Sequence, residues 1–185
     1  EVQDAMDEAM NSGYVVFEQL LRNTGDFIAK TLGTEQAFVT SGAAAAISLG
    51  TAAALAGHDR EKMGLIPDTS SFDRNGLVFQ KGQDYTYKRC FTLAGAKLVE
   101  IGREDGCTVD EMEAAIGPKT AGIAFYESGA WGDEWVSIEE ARALADKHDI
   151  RLIVDAAGQI YPLDQFTKTA QIGDVVAFGA KYIGS

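Results

Sequence analysis

An aspartate and a lysine follow two apolar runs in the last third of the chain, and both have small neighbours. Asp155 ends the run Leu152-Ile153-Val154, and Lys181 follows the run from Val175 to Ala180. A carboxylate buried at a strand end needs a cationic or hydrogen-bonded partner, because burial disfavours its charge. A lysine in apolar surroundings can attack an aldehyde as the free amine. Taken singly, each has a plainer reading, an Asp that caps the next segment and a solvated lysine.

A third candidate is the run Thr40-Ser41-Gly42-Ala43, which leads into Ala44, Ala45 and Ala46. Small residues where a strand passes into a helix let backbone N–H groups approach a ligand, and a helix N-terminus favours a phosphate. The plainer reading is a Ser cap on an Ala-rich core helix. The Gly-Lys-Ser/Thr ending of a Walker loop and the GxGxxG dinucleotide fingerprint are both missing from the sequence.

The apolar pattern predicts the elements that position these residues. Strands are predicted at 37–40, 63–66, 97–101, 122–126, 151–154 and 175–178, helices at 43–56, 109–116 and 138–147, and two or three short helices within 2–30. Strands that alternate with helices predict a mainly parallel sheet in a three-layer α/β/α fold. Ligands bind beyond the carboxyl ends of such strands, where Ser41, Asp155 and Lys181 are all predicted to lie.

The order of phosphate cradle, strand-end Asp and strand-end Lys is typical of fold-type I enzymes that use pyridoxal 5'-phosphate (PLP). The chain resembles this family, and within it the group of selenocysteine synthase and D-glucosaminate-6-phosphate ammonia-lyase. The segments that carry the resemblance are 28–33, 37–45, 94–102, 152–157 and 173–176. It implies the PLP-binding large domain of such an enzyme.

The resemblance also implies a role for each site residue. Lys181 would form the Schiff base with the cofactor, Asp155 would pair with the pyridinium nitrogen, and Ala157 would pack on one face of the ring. Thr40, Ser41, Gly42 and Ala43 would hold the phosphate. No metal ligand is predicted.

Three further positions are compared with the family pattern. Gln83 stands about where relatives often carry a His against the other ring face, and it could cover the ring without acting as an imidazole acid or base. Ser128 follows a predicted strand, where such enzymes often contact the ring hydroxyl or the substrate. Phe178 stands three residues before Lys181, where relatives usually place a phosphate-binding Ser. It either faces the phosphate or points into the core.

The reaction implied is removal of the α-proton from an amino acid or amino-sugar acid, followed by β-elimination. Transamination, racemisation and sulfur transfer start from the same chemistry and stay open, as does a non-catalytic descendant of the scaffold. Cys90 and Cys107 lie near no recognised sulfur-transfer loop. The family resemblance further implies a homodimer or larger homo-oligomer.

The composition indicates which partners and which cellular location are expected. The 185 residues carry 28 acidic and 16 basic side chains and a net charge of -12, which disfavours nucleic-acid binding and therefore a role on transfer RNA. The apolar runs are too short to cross a bilayer, so no membrane contact is expected. Two cysteines without CxxC spacing favour a reducing cytoplasmic location over secretion.

The predicted organisation is an N-terminal helical segment, 1–33, and a PLP-binding large domain, 34–185. The chain stops four residues after Lys181, directly after a strand-like run. We therefore expect a fragment or a partial record of a larger protein, in which a C-terminal small domain would supply the groups that bind the substrate carboxylate.

Overall fold

The computed structural model describes residues 1–12, 16–129 and 131–179. The chain divides into two compact units, Glu1–Val39 and Thr40–Ser185. The predicted domain boundary after residue 33 stays a prediction.

The first unit contains two helices, α1 (Val2–Asn11) and α2 (Phe17–Leu32). Gly33 ends α2 in the left-handed conformation at φ 69°, and its N–H donates to the carbonyl of Ala29. The segment after α2 packs closely against it, since a Cβ on Gly25 would lie 2.3 Å from the carbonyl oxygen of Ala37. The strand predicted at 37–40 is wrong, because these residues form no strand. A four-residue apolar run without a neighbouring strand has no ladder to join.

The second unit is built on a five-stranded parallel sheet in the order β2-β1-β3-β4-β5. The strands are β1 (Gly76–Gln80), β2 (Lys97–Ile101), β3 (Thr120–Tyr126), β4 (Arg151–Asp155) and β5 (Val175–Ala177). Asp155 pairs in register with Tyr126 on one side and with Ala177 on the other. The prediction of a mainly parallel sheet is confirmed, and β4, which lies between β3 and the edge strand β5, ends at the candidate site.

Helices cover both faces of this sheet. They are α3 (Ala43–Ala56), α4 (Arg60–Leu65), α5 (Arg89–Thr92), α6 (Val109–Ala114), α7 (Ile138–His148) and α8 (Leu163–Ile172). One core joins Ile47 of α3 and Phe91 of α5 to Ile153 of β4. The other joins Met112 of α6 and Leu144 of α7 to alternate residues of the same strands. The result is the predicted three-layer α/β/α arrangement, and among the described residues no helix has the length and apolarity to span a membrane.

Three further assignments from the sequence differ from the structure. The strand predicted at 63–66 is wrong, because residues 63–65 form the end of α4 and Ile66 begins the turn after it. The side chain of Asp59 caps that helix by accepting the N–H groups of Glu61 and Lys62. The fully buried β1 was not predicted, although its Gly-Leu-Val-Phe-Gln run is strand-like. Helix α8 was also missed, since its apolar residues are sparse.

Helix α3 runs with its N-terminus toward the carboxyl ends of the strands. Its last turn meets the other end of the sheet, since Leu55 of α3 and Arg151 at the start of β4 line the same surface cavity. In the middle of the helix, a Cβ on Gly50 would lie 2.3 Å from Cγ1 of Val175, so α3 packs directly on β5. The 14 residues of α3 span about 21 Å, which is long enough to carry its first turn to the carboxyl edge of the sheet.

Candidate active site

Asp155 is the polar centre of the site. It is 2% exposed and ends β4, and by strand alternation it shares the face of Ile153, on which α3 packs. Its Oδ1 accepts the N–H of Ala157 at 3.0 Å. Its Oδ2 accepts the hydroxyl of Tyr85 at 2.5 Å, a length typical of an O–H group bound to a charged carboxylate.

Tyr85 is held against Asp155 by its ring as well as by its hydroxyl. Its ring stacks on the ring of Tyr126, with centroids 4.0 Å apart and planes 5° apart. Tyr126 ends β3 beside Asp155. Burial raises the pKa of Tyr85, and the Asp155 carboxylate raises it further. The phenol therefore stays protonated and donates to Asp155 over the ordinary pH range.

The segment that carries Tyr85 is anchored by two buried glutamines. Gln80 exchanges hydrogen bonds with the backbone of Val136, at 3.1 Å from its Nε2 and at 3.0 Å to its Oε1. Gln83 accepts the N–H of Tyr126 at 3.1 Å. Both glutamines are fully buried. They fix the turn after β1 to neighbouring segments, and this turn delivers Tyr85 to the carboxyl end of β4.

The N-terminus of α3 forms the second part of the site. Gly42 begins the helix at φ 152° and ψ 173°, and no side chain of the described residues caps the first turn. Thr40 accepts the N–H of Gly42 at 3.3 Å and donates its hydroxyl to the carbonyl of Gly42 at 2.8 Å. Ser41 and Gly42 are exposed. The N–H groups of the first turn, at Ala43 and the next residues, have no partner within the helix and therefore suit an anion.

The remaining residues predicted from the sequence take distinct positions. Ala157 is half-buried and donates its N–H to Asp155. Ser128 is partly buried, two residues beyond the end of β3. Gln83 uses its oxygen on Tyr126, while its Nε2 is buried and makes no hydrogen bond to a described residue. Its predicted place against a ring face stays a prediction.

Lys181 lies outside the described residues, so its predicted role is carried by the sequence alone. The described chain ends at Gly179, whose N–H donates to the carbonyl of Ala157 at 3.1 Å. A Cβ on Gly179 would lie 2.9 Å from that carbonyl oxygen. The two segments beyond β4 and β5 therefore run in close contact, which only a residue without a side chain permits at this point.

Phe178 faces away from α3. Its ring packs edge-on against Phe166 of α8, with centroids 4.5 Å apart and planes 88° apart. It joins the core on the α6 and α7 side of the sheet. Of the two readings left open by the sequence, the structure supports the core position.

Tyr85 and Tyr126 are the site residues that sequence reasoning missed. Tyr126 was placed inside a strand without a role. Tyr85 follows a strand that was not predicted, so nothing marked it as a strand-end residue. The available signal was the apolar centre of the Gly76–Gln80 run, Leu77-Val78-Phe79, which would have placed Tyr85 near the carboxyl edge of the sheet.

Taken together, the described residues offer an anion cradle and a buried carboxylate on the same face of one sheet. A flat heteroaromatic ring with a phosphate at one end and a protonated nitrogen at the other matches both groups. The buried Nε2 of Gln83, which has no described partner, is a further donor close to Tyr126. These features fit PLP.

Known proteins include relatives that match most of this chain. No family model matches the chain. The chain is 32% identical over 164 residues to D-glucosaminate-6-phosphate ammonia lyase of Salmonella typhimurium, an alignment that covers 86% of this chain and 44% of that protein. It is 31% identical over 153 residues to 5'-C-glycyluridine monooxygenase-decarboxylase of a Streptomyces species, over 79% of this chain and 38% of that protein.

The solved structure of a D-glucosaminate-6-phosphate ammonia-lyase superimposes with a TM-score of 0.84 at 28% identity. The superposition covers 96% of this chain and 49% of that one. The chain thus spans less than half the length of the relatives it matches. It corresponds to one part of such enzymes.

Proposed function

Because the chain has the fold of the fold-type I PLP enzymes, we propose that it is the cofactor-binding part of a PLP-dependent lyase. The proposed substrate class is an amino acid or an amino-sugar acid, from which the α-proton and then a β-substituent are removed. The observation that carries the proposal is the buried Asp155 carboxylate on the face of the sheet where the uncapped N-terminus of α3 packs.

Each residue has a defined task in this proposal. When bound, PLP supplies an electron sink for the bond that breaks at the α-carbon. Asp155 holds the proton on the ring nitrogen, because a buried carboxylate stabilises a neighbouring cation. The first N–H groups of α3, with Ser41 and Gly42, bind the phosphate. Lys181 holds the cofactor through its amine and, once released, takes the α-proton as the general base.

Elimination is favoured by the relative and the solved structure that carry the ammonia-lyase name. A second candidate is loss of a carboxyl group, since a relative at nearly the same identity is named a monooxygenase-decarboxylase. Both reactions would begin at a substrate α-carbon and draw on the same cofactor site. The homodimer and the cytoplasmic location stay predictions.

The cofactor assignment is tested by reconstituting the full-length protein with PLP and recording its visible absorption. We expect a coloured protein whose band is lost on borohydride treatment, with the cofactor fixed on the peptide that contains Lys181. Lys181→Ala should give no fixed cofactor. The matched control, Lys168→Ala, changes an exposed lysine of α8 and should behave as the unchanged protein. Cofactor fixed on another lysine would refute the assignment.

The reaction is tested by offering the reconstituted protein a set of amino acids and amino-sugar acids. Ammonia released together with a keto product supports the lyase, whereas carbon dioxide supports the second candidate. Neither product from any member of the set, in a protein that carries PLP on Lys181, would favour the non-catalytic alternative.

A further inference from the structure

The hydrogen bond between Tyr85 and Asp155 affects whether the proton in the proposed site lies on Asp155 or on the cofactor. Asp155 is nearly completely buried, yet both of its oxygens already accept a donor, Oδ1 from Ala157 and Oδ2 from Tyr85. Hydrogen bonds to the charged form of a carboxylate stabilise that form relative to the acid. A short O–H donor contributes more than a backbone amide does at 3.0 Å.

We propose that Tyr85 is a positioning residue that keeps Asp155 a carboxylate, so that the proton it shares with the cofactor stays on the ring nitrogen. This inference rests on the proposed function. The pyridine nitrogen and Asp155 hold one proton between them, as a pyridinium and a carboxylate or as a neutral pyridine and a carboxylic acid. The phenol stabilises the first arrangement, because it donates to the carboxylate. Removing the phenol moves the proton toward Asp155 and weakens the electron sink.

The surroundings of Tyr85 make its hydroxyl a fixed donor. Its ring is clamped by the parallel stack on Tyr126. Its segment is tied down by the bond from Tyr126 to Gln83. On the far side, Lys88 pairs with Asp84 at 2.7 Å and with Glu100 at 2.8 Å, which braces the turn around Tyr85. Because the hydroxyl is already held in place, little conformational entropy is lost when it donates to the charged carboxylate.

The test is the nitrogen resonance of PLP labelled with 15N in its ring, bound to the full-length protein. In Tyr85→Phe the resonance should move toward that of an unprotonated pyridine. The matched control is Tyr126→Phe, which removes a hydroxyl from the other ring of the same stack and should leave the resonance where the unchanged protein has it. Replacing Tyr85 with p-aminophenylalanine keeps the ring and a weaker donor, so a smaller shift in the same direction is expected. This replacement also serves as the test variant if Tyr85→Phe does not fold.

The outcomes separate this inference from the proposed function. A protein that binds PLP and keeps the same resonance in Tyr85→Phe, or shifts toward the pyridinium value, overturns the role of Tyr85 alone. An equal shift in Tyr126→Phe also overturns it, because the effect would then come from packing. If Asp155→Asn leaves the resonance unchanged, or the unchanged protein takes up no PLP, the proposed function itself fails.

Discussion

Replacing Gly42 with alanine should perturb the proposed phosphate cradle without creating a collision. Gly42 has φ 152° and ψ 173°, a backbone conformation that is essentially restricted to glycine. A Cβ built at this position meets no atom within 4 Å. The cost of Gly42→Ala therefore comes from the backbone, at about 1–3 kcal/mol if the conformation is kept.

The chain can relieve this strain by rotating the backbone at residue 42, and that rotation should weaken the binding of the cofactor. A changed φ at Gly42 reorients the N–H groups that open α3, and a phosphate bound there loses part of its hydrogen bonding. Loss of one charge-assisted hydrogen bond weakens binding by about 1.5–3 kcal/mol. At about 1.4 kcal/mol for each factor of ten, PLP should bind on the order of 10- to 100-fold more weakly.

Equilibrium PLP titration and denaturant unfolding of the full-length protein measure the two effects separately. The matched control is Gly64→Ala, since Gly64 lies inside α4 and its added Cβ also meets no atom within 4 Å. The control should unfold at equal or higher denaturant, because alanine is the better helix former by up to about 1 kcal/mol. If Gly42→Ala lost stability but bound PLP unchanged, the cradle would be misplaced. If it lost neither, the strain argument would be wrong as well.

Two further substitutions test other parts of the site. Asp155→Asn should still take up PLP but lose several orders of magnitude in turnover, because a neutral amide does not hold the ring nitrogen protonated; full turnover in the reconstituted mutant would contradict this. Phe178→Ser should lower the free energy of unfolding through lost packing on Phe166, by less than the about 3–5 kcal/mol typical of a fully buried Phe because Phe178 is only partly buried, and should leave PLP affinity unchanged. Tighter PLP binding would instead mean that position 178 faces the phosphate.

Much of the fold could be predicted, because short strand-like apolar runs and Ala-rich helical runs leave strong local signals. The run Lys97–Ile101 is β2 with the predicted bounds, and Ala43–Ala56 is α3 with the predicted bounds. One error occurred where a short apolar run is compatible with either a strand or a helix. Taken alone, the apolar residues 63–66 predict a strand. The side-chain cap at Asp59 instead marks the start of a helix, and that helix ends within these residues.

The candidate site also contains residues that the sequence identifies and residues that it does not. Strand-end position identifies Asp155, because an aspartate that ends an apolar run is unusual enough to be noticed in the sequence. Tyr85 carries no such mark, since its contact with Asp155 joins residues 70 positions apart. That contact depends on the order of strands in the sheet, which places the turn after β1 within reach of β4, and strand order is a long-range property.

Strand parity explains why Phe178 could not be placed from the sequence. Successive side chains of a strand point to opposite faces, and this alternation continues from Ala177, the last residue of β5, to Phe178, so the two lie on opposite sides of the sheet. Nothing in the run itself says which side meets α3. The structure decides it, because Ala177 belongs to the core beneath α3 and Phe178 packs on Phe166 in the other core. With the aromatic ring turned away, no hydroxyl stands at position 178 for the phosphate, and the proposed site depends all the more on Gly42 and the first turn of α3.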